Sequence, residues 1–272
     1  MMKIAISITC FFFQIISVGC YAQQLIDEWR LVKISAVYTH ENPNTSEYIY
    51  DNAGKLKTIN YYYNNNYGKK WDSSALKDFV YDKDGRIVSF TKYDVQVNLQ
   101  YILTYDKQNR LLSKQISKIT KGTKPGKPKV VDMLKYSYKE NEIKESRSVP
   151  PSEKITDETT YRLDKKGNII RQERKDMLNM KTEKYVCGDF ENNPNPNLFT
   201  GAYFYTAIQS KQNGKEGYWE DMKMPEKTES VYDAIGMVKK TVITEKDELN
   251  TTTTEYSYTY AKIKSPAKSF VK

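Results

Sequence analysis

The sequence predicts an all-β protein, an antiparallel meander of about 14 to 16 strands curled into a barrel-like or strongly curved sheet. Three observations support this fold class. A Tyr-Asp turn motif recurs along the chain, aromatic residues alternate with variable ones before each turn, and no stretch after residue 22 shows a sustained helical period. The repeat therefore organises the chain.

The repeated unit is a pair of strands joined by one turn. Full units lie at 48–56, 79–87, 103–111, 161–169 and 230–238, and a shortened unit lies at 136–143. In each full unit an Asp can accept hydrogen bonds from amides further along the turn, and in four of the five a Gly three residues later can take the left-handed conformation that closes a hairpin. Asn109 and Asn141 stand where the other units have Gly, and Asn tolerates that conformation best among non-Gly residues.

The remaining strands are predicted from the gaps between the units. Residues 29–34 and 256–260 read as the first and last strands. A divergent hairpin is expected from 185–189 through a loop at 192–196 and out from Phe199 to Ile208, because prolines cannot donate to a sheet. Successive hairpins give a meander, and a long twisted meander must curl or close to limit exposed edges.

The first 22 residues are predicted to be a signal peptide, with Lys3 before an apolar run at 4–18. That run is shorter than the roughly 20 residues that a membrane-spanning helix needs, so no transmembrane segment is expected in the mature chain. Cleavage before Gln23 leaves a single domain, 23–272, secreted across the inner membrane to the periplasm or cell surface. The alternative is a lipid anchor at Cys20.

The cysteine content and the net charge limit the disulfides and the binding partners that we expect. The mature chain keeps only Cys187, so it forms no internal disulfide, and this residue reads as a small strand side chain. The formal charge is +9. An exported protein rarely meets nucleic acid, so that partner is not expected. Anionic glycans or lipid headgroups remain, beside the simpler interpretation of a solvated lysine-rich surface.

The motif resembles known repeats. Tyr81-Asp82 followed by Gly85, Arg86 and Ile87 is similar to the YD repeat of Rhs and teneurin shell proteins. The layout as a whole, with Asn and Pro alternating at 193–197 before Phe199, resembles a family of exported Bacteroidota proteins of unknown function with a porin-like fold. The resemblance implies a fold and an envelope location, and it brings no catalytic residues.

The sequence offers little chemistry. His40 is the only histidine, so neither a zinc-ligand spacing nor a Ser/His/Asp triad exists, and no metal, cofactor or catalytic residue is expected. Asp82 and Asp84 fit a turn better than a calcium loop. The acidic doublets at 157–158 and 220–221 place neighbouring carboxylates on opposite strand faces, so neither is a catalytic pair by itself.

Function is expected where the repeat breaks down. Aromatic rings beside an Asn-rich loop and after the proline loop suit a sugar: Tyr61, Tyr63, Trp71, Tyr203, Tyr205 and Trp219. One basic stretch is either a solvated loop or a contact for an anionic surface such as lipopolysaccharide or capsule, through Lys118, Lys121, Lys124, Lys127 and Lys129.

The sequence thus favours an exported, non-catalytic envelope protein that acts as a binding or scaffold module for a polysaccharide or an envelope protein. One alternative is a glycan-acting hydrolase that uses two carboxylates brought together by the fold. Another is an outer-membrane channel. The polar strands at 171–175 and 251–255 argue against a lipid-facing apolar belt, as does a mean hydropathy of −0.74.

Overall fold

The computed structural model describes residues 28–38, 44–64, 70–119, 127–196, 198, 212–220, 224–246 and 251–262. Within these ranges the chain forms eighteen β-strands. They are β1 Trp29–Tyr38, β2 Asn44–Tyr50, β3 Leu56–Asn64, β4 Lys70–Tyr81, β5 Ile87–Asp94, β6 Asn98–Tyr105, β7 Leu111–Ile119, β8 Lys129–Lys139, β9 Glu142–Ser148, β10 Ile155–Leu163, β11 Ile169–Asp176, β12 Lys181–Cys187, β13 Phe190–Pro194, β14 Gln212–Gly214, β15 Glu216–Trp219, β16 Met224–Tyr232, β17 Val238–Lys246 and β18 Thr251–Lys262. Among these residues no helix is long and apolar enough to cross a membrane.

Sixteen of the described strands form one closed antiparallel barrel. Each pairs with its neighbour in sequence, except that β12 pairs directly with β15. The first strand closes the barrel on the last, from Trp29 opposite Lys262 to Tyr38 opposite Thr254. The predicted all-β meander is therefore confirmed, and the sheet is closed rather than merely curved.

The repeated turns have the predicted chemistry. At the first of them, Asp51 accepts hydrogen bonds from the amides of Ala53 and Lys55, each at 2.9 Å. Gly54 has a φ of 74°, and Asn109 takes the Gly position of its own turn with a φ of 63°. The shortened unit differs from expectation. There Glu140, with a φ of 47°, is the left-handed residue rather than Asn141, because this tighter turn closes one residue earlier.

Buried apolar side chains fill the barrel on the side of β2 to β8. Phe90 is 2 % exposed and stacks on Tyr101 with ring centroids 4.5 Å apart. The buried members of this core are Leu56, Ile59, Leu76, Ile87, Phe90, Leu103, Leu111, Leu134 and Tyr136. These residues identify the inward positions of the strands, and alternation assigns the rest except at the irregularities beside the turns, such as those in the pairings of β2 with β3 and of β4 with β5.

Four motif tyrosines form what we call the tyrosine ladder: Tyr50, Tyr81, Tyr105 and Tyr138. Each hydroxyl donates to a main-chain carbonyl in an earlier strand pair. The acceptors are Leu31, Leu56, Ile87 and Leu111 respectively, at 2.8, 2.6, 2.7 and 2.8 Å. The last three acceptors are the aliphatic residues that follow the preceding turns, so the ladder ties each hairpin to the one before it.

The basic residue of the motif strengthens the same junction. Arg86 lies over the ring of Tyr105 at 5.1 Å, and Arg110 lies over Tyr138 at 4.5 Å. Lys55 covers Tyr81 in the same way, at 5.0 Å. These are cation–π contacts between successive hairpins. The Tyr, the Lys or Arg and the aliphatic residue of the motif are thus explained by packing between neighbouring units.

The segment between β12 and β15 corrects one expectation. Residues 192–194, predicted as a loop, belong to β13, which pairs irregularly with β14. Pro194 is tolerated because it ends a strand in a two-stranded sheet, where one side of each strand needs no donor. Asn193 donates to the carbonyl of Gly236 at 2.9 Å, which fixes β13 to the turn between β16 and β17. The predicted stretch from Phe199 to Ile208 lies outside the described residues.

Candidate functional site

Charged side chains on β8 to β12 face the interior of the barrel and contact one another. Arg147 contacts Asp132 at 2.7 Å and Asp157 at 3.8 Å, and Arg174 contacts Asp157 at 2.9 Å and Glu183 at 3.8 Å. The hydrogen bond to Asp132 raises the pKa of Arg147. We call these five residues the arginine network. It makes this part of the lumen polar and pairs both arginines with carboxylates.

The outward face of the barrel carries ion pairs between strands. Lys144 and Glu158 lie on the face opposite the core and form an ion pair at 2.6 Å. Lys240 and Glu255 form another across β17 and β18, at 2.7 Å. These charged residues lie within strands, where a lipid-facing barrel would carry apolar side chains.

Tyrosine and small polar side chains surround a first cavity of about 380 Å³ inside the barrel. Its walls come from the inner faces of β1, β12 and β16 to β18, and from Asn195, Pro196 and Gly214 of the β13–β14 segment. The barrel residues are Ile34, Tyr185, Cys187, Glu226, Thr228, Thr241, Ile243, Tyr256 and Tyr258. Cys187 is therefore a cavity-lining residue as well as a strand residue.

The acid of this cavity is Glu226, which shares a hydrogen bond with Tyr185. Burial raises the pKa of Glu226, and the nearby carboxylate of Glu245 raises it further. Glu245 stands directly opposite Glu226 in the register of β16 and β17, so both face the interior. The cavity thus combines aromatic rings, hydroxyls and one perturbed carboxyl group.

A second cavity of about 390 Å³ adjoins the first, since Ile34 and Tyr256 line both. It lies against the inner faces of β1 to β5. Its polar lining is formed by Asn44, Thr45, Ser46, Tyr61, Tyr62, Ser74 and Lys92, together with Tyr256. Cavities of this size are typical of small-molecule sites. The two together offer an elongated, hydroxyl-rich space.

The structure places only some of the aromatic residues that we predicted to bind a sugar. Tyr61 lines the second cavity. Tyr63 and Trp71 are paired opposite each other in β3 and β4, and Trp219 is opposite Tyr185, but their side chains are outside the described part of the chain. Tyr203 and Tyr205 lie outside the described residues altogether.

The predicted basic stretch is only partly a loop. Lys118 and Lys129 lie in β7 and β8 and are direct cross-strand partners. Lys127 is exposed just before β8, and Lys121 and Lys124 lie outside the described residues.

The acidic doublet at 157–158 behaves as expected, whereas Asp221 of the doublet at 220–221 lies outside the described residues. Asp157 joins the arginine network while Glu158 pairs with Lys144 outside, so adjacent carboxylates do face opposite ways. Glu220 pairs with Arg171 at 3.3 Å. Among the described residues, no group of three or more His, Cys, Asp or Glu side chains is placed to hold a metal ion.

Sequence reasoning missed several cavity residues, among them Lys92, Tyr185, Glu226 and Tyr256. Tyr256 and Tyr185 were expected in strands, with no sign that their strands border a space. Lys92 and Glu226 belong to no motif. The pairing of β12, β15 and β16 brings Tyr185 beside Glu226, and the closure of β1 on β18 places Tyr256 next to both cavities.

Two of the solved structures that are similar to this chain are porin-like proteins. A porin-like protein from Bacteroides uniformis ATCC 8492 is similar to this chain with a TM-score of 0.42 and 13% identity, over 85% of this chain and 96% of that chain. A porin-like protein from Bacteroides vulgatus ATCC 8482 is similar with a TM-score of 0.49 and 10% identity, over 85% and 98%. No protein-family model and no curated protein matches the sequence.

Proposed function

We propose that this protein is an exported, non-catalytic envelope protein that binds a polysaccharide chain inside its barrel. The observation that carries the proposal is the pair of adjoining cavities, lined by tyrosine rings and by hydroxyl and amide side chains. Sugar rings present apolar faces that stack on aromatic side chains, and hydroxyl edges that pair with Ser, Thr and Asn. An envelope location follows from the predicted signal peptide.

The charged outer face supports a binding role over a membrane channel. Ion pairs such as Lys144–Glu158 and Lys240–Glu255 lie where a spanning barrel needs an apolar band. The apolar core from Leu56 to Tyr136 also fills the lumen on one side. Both features suit a water-exposed barrel with an internal site.

The direct test is a glycan array probed with the mature chain, 23–272, followed by calorimetry on the sugars that bind. Ser46 lines the second cavity, so Ser46→Tyr fills part of it. We expect this variant to bind about tenfold more weakly or worse, because about 1.4 kcal/mol of lost contact corresponds to that factor. Ser137→Tyr is the matched control, since Ser137 is exposed on the outward face of β8.

Two results would refute the proposal. One is an array on which no glycan binds. The other is a Ser46→Tyr protein that folds with the same circular dichroism spectrum and binds as tightly as the Ser137→Tyr control.

A second candidate, a glycan hydrolase, rests on one observation: Glu226 lines the first cavity with a raised pKa, and Glu245 is its direct cross-strand partner on the same face. A carboxyl group with a raised pKa can serve as a general acid beside an ionised partner. This candidate predicts that glycans bound by the chain are cleaved over time and that Glu226→Gln abolishes cleavage while binding persists. If glycans are recovered intact from the wild-type protein, the hydrolase candidate is wrong and only the binding role stands.

A further inference from the structure

Three lysines from β5, β7 and β8 are aligned across the sheet. Lys92 in β5 is opposite Leu99 in β6, Leu99 is opposite Lys118 in β7, and Lys118 is opposite Lys129 in β8. Neighbouring strands are about 4.8 Å apart, so this alignment crosses about 14 Å from β5 to β8. We call Lys92, Lys118 and Lys129 the lysine row.

The lysine row faces the lumen. Lys92 lines the second cavity, which fixes its side. Phe90 and Tyr101 stack inside the barrel, and residues two positions away on the same strands, Lys92 and Leu99, share that face. Lys118 and Lys129 follow from the register, because directly opposed residues in an antiparallel sheet point to the same side.

The charges of the row are only partly neutralised. Lys92 contacts Asp94 at 3.5 Å. Lys118 and Lys129 are exposed and form no ion pair with any residue that the structure describes. Like charges directly opposite each other destabilise a sheet. An anionic ligand held between these ammonium groups would remove that repulsion.

We propose that the lysine row is the anionic subsite of the lumen, and that it binds the carboxylates of an acidic polysaccharide whose sugar rings occupy the second cavity. This rests on the proposed function and names its substrate class. Lys92 belongs to both features, so rings against Tyr61 and Ser74 leave their acidic groups beside the row. Because the row faces inward, a flexible chain can reach it while a flat anionic membrane cannot.

The experiment compares oligogalacturonate with its fully methyl-esterified form, two ligands of the same sugar that differ in charge. Calorimetry is run with the wild type, with the double variant Lys118→Gln/Lys129→Gln, and with the control Lys135→Gln/Lys139→Gln on the exposed outward positions of β8. We expect the acid to bind the wild type at least about tenfold more tightly than the ester. The double variant should lose that preference, and the control should keep it. Raising the salt concentration should weaken the binding of oligogalacturonate but not the binding of its ester.

Several outcomes overturn the inference. The inference is wrong if the wild type binds acid and ester with equal affinity, or if the double variant still prefers the acid. Either result shows that the lysine row does not distinguish a charged ligand from a neutral one. Binding to anionic vesicles that the double variant loses would assign the row to a membrane surface instead. If uncharged glycans bind and acidic ones do not, the inference fails while the proposed function stands, and if no glycan binds, both fail.

Discussion

Removing a single hydroxyl from the tyrosine ladder should measurably lower the free energy of unfolding of the barrel. In Tyr105→Phe the ring stays in place beneath Arg86, and only the hydrogen bond to the carbonyl of Ile87, 2.7 Å long, is lost. A hydrogen bond of this kind contributes about 0.5–1.5 kcal/mol net, and the half-buried carbonyl left behind adds to the loss. We therefore expect the free energy of unfolding to fall by about 1–2 kcal/mol.

The assay is urea or thermal unfolding followed by circular dichroism. For a domain of this size, 1 kcal/mol corresponds to a shift in Tm of about 2–4 °C. Tyr218→Phe is the matched control, because Tyr218 is 45% exposed on the outer face of β15 and belongs to no rung of the ladder. Its stability should stay within about 0.5 kcal/mol of the wild type.

Two neighbouring rungs offer a sharper test. Tyr81 and Tyr105 both act on the hairpin of β4 and β5, the first by tying it to the preceding hairpin and the second by tying the next hairpin to it. The double variant should depart from the sum of the single effects, since residues in one network couple. The reasoning is wrong if Tyr105→Phe is as stable as Tyr218→Phe.

Two further predictions concern the turns. Gly85→Ala should destabilise the protein by about 1–2 kcal/mol, because Gly85 has a φ of 77° that a Cβ disfavours; denaturant unfolding measures this, and an unchanged midpoint would contradict it. Burial by itself would raise the pKa of Asp106, but hydrogen bonds from the backbone and guanidinium of Arg110 bring it below its ordinary value. Stability from this group is therefore complete above about pH 4 and is lost as the pH falls through the folded pKa, so the gap between wild type and Asp106→Asn should shrink below about pH 4. A gap that stays constant from neutral pH to pH 2 would rule this out.

The sequence was informative about the hairpins because their chemistry is local. Asp51, Gly54 and Asn109 act within four residues of chain, and so the turns and the strand alternation could be predicted. The role of Tyr105 could not, because its partner Ile87 belongs to another hairpin and the bond depends on how the two units stack. The alternation of aromatic and variable residues before each turn predicts strands, but it does not identify the partners of the tyrosines.

The candidate site was harder to predict for the same reason. Lys92 and Lys118 are 26 residues apart and share no motif, and only the register through Leu99 aligns them. Likewise Tyr61 was expected beside a loop, whereas it borders a cavity shared with Tyr256 from the last strand. Sites built from register and closure leave little local pattern in a sequence.

The pairing of β1 with β18 has a consequence for how the protein folds. The hairpins from β2 to β9 can form and stack before the barrel closes, since each ladder bond needs only the preceding unit. Closure must join Leu31 to Tyr260, near opposite ends of the sequence, and so it waits for the last strand to be synthesised. Contacts of such high sequence separation slow folding. Until closure, both edge strands are open to pairing with other chains, which is the interval in which this protein most needs protection from aggregation.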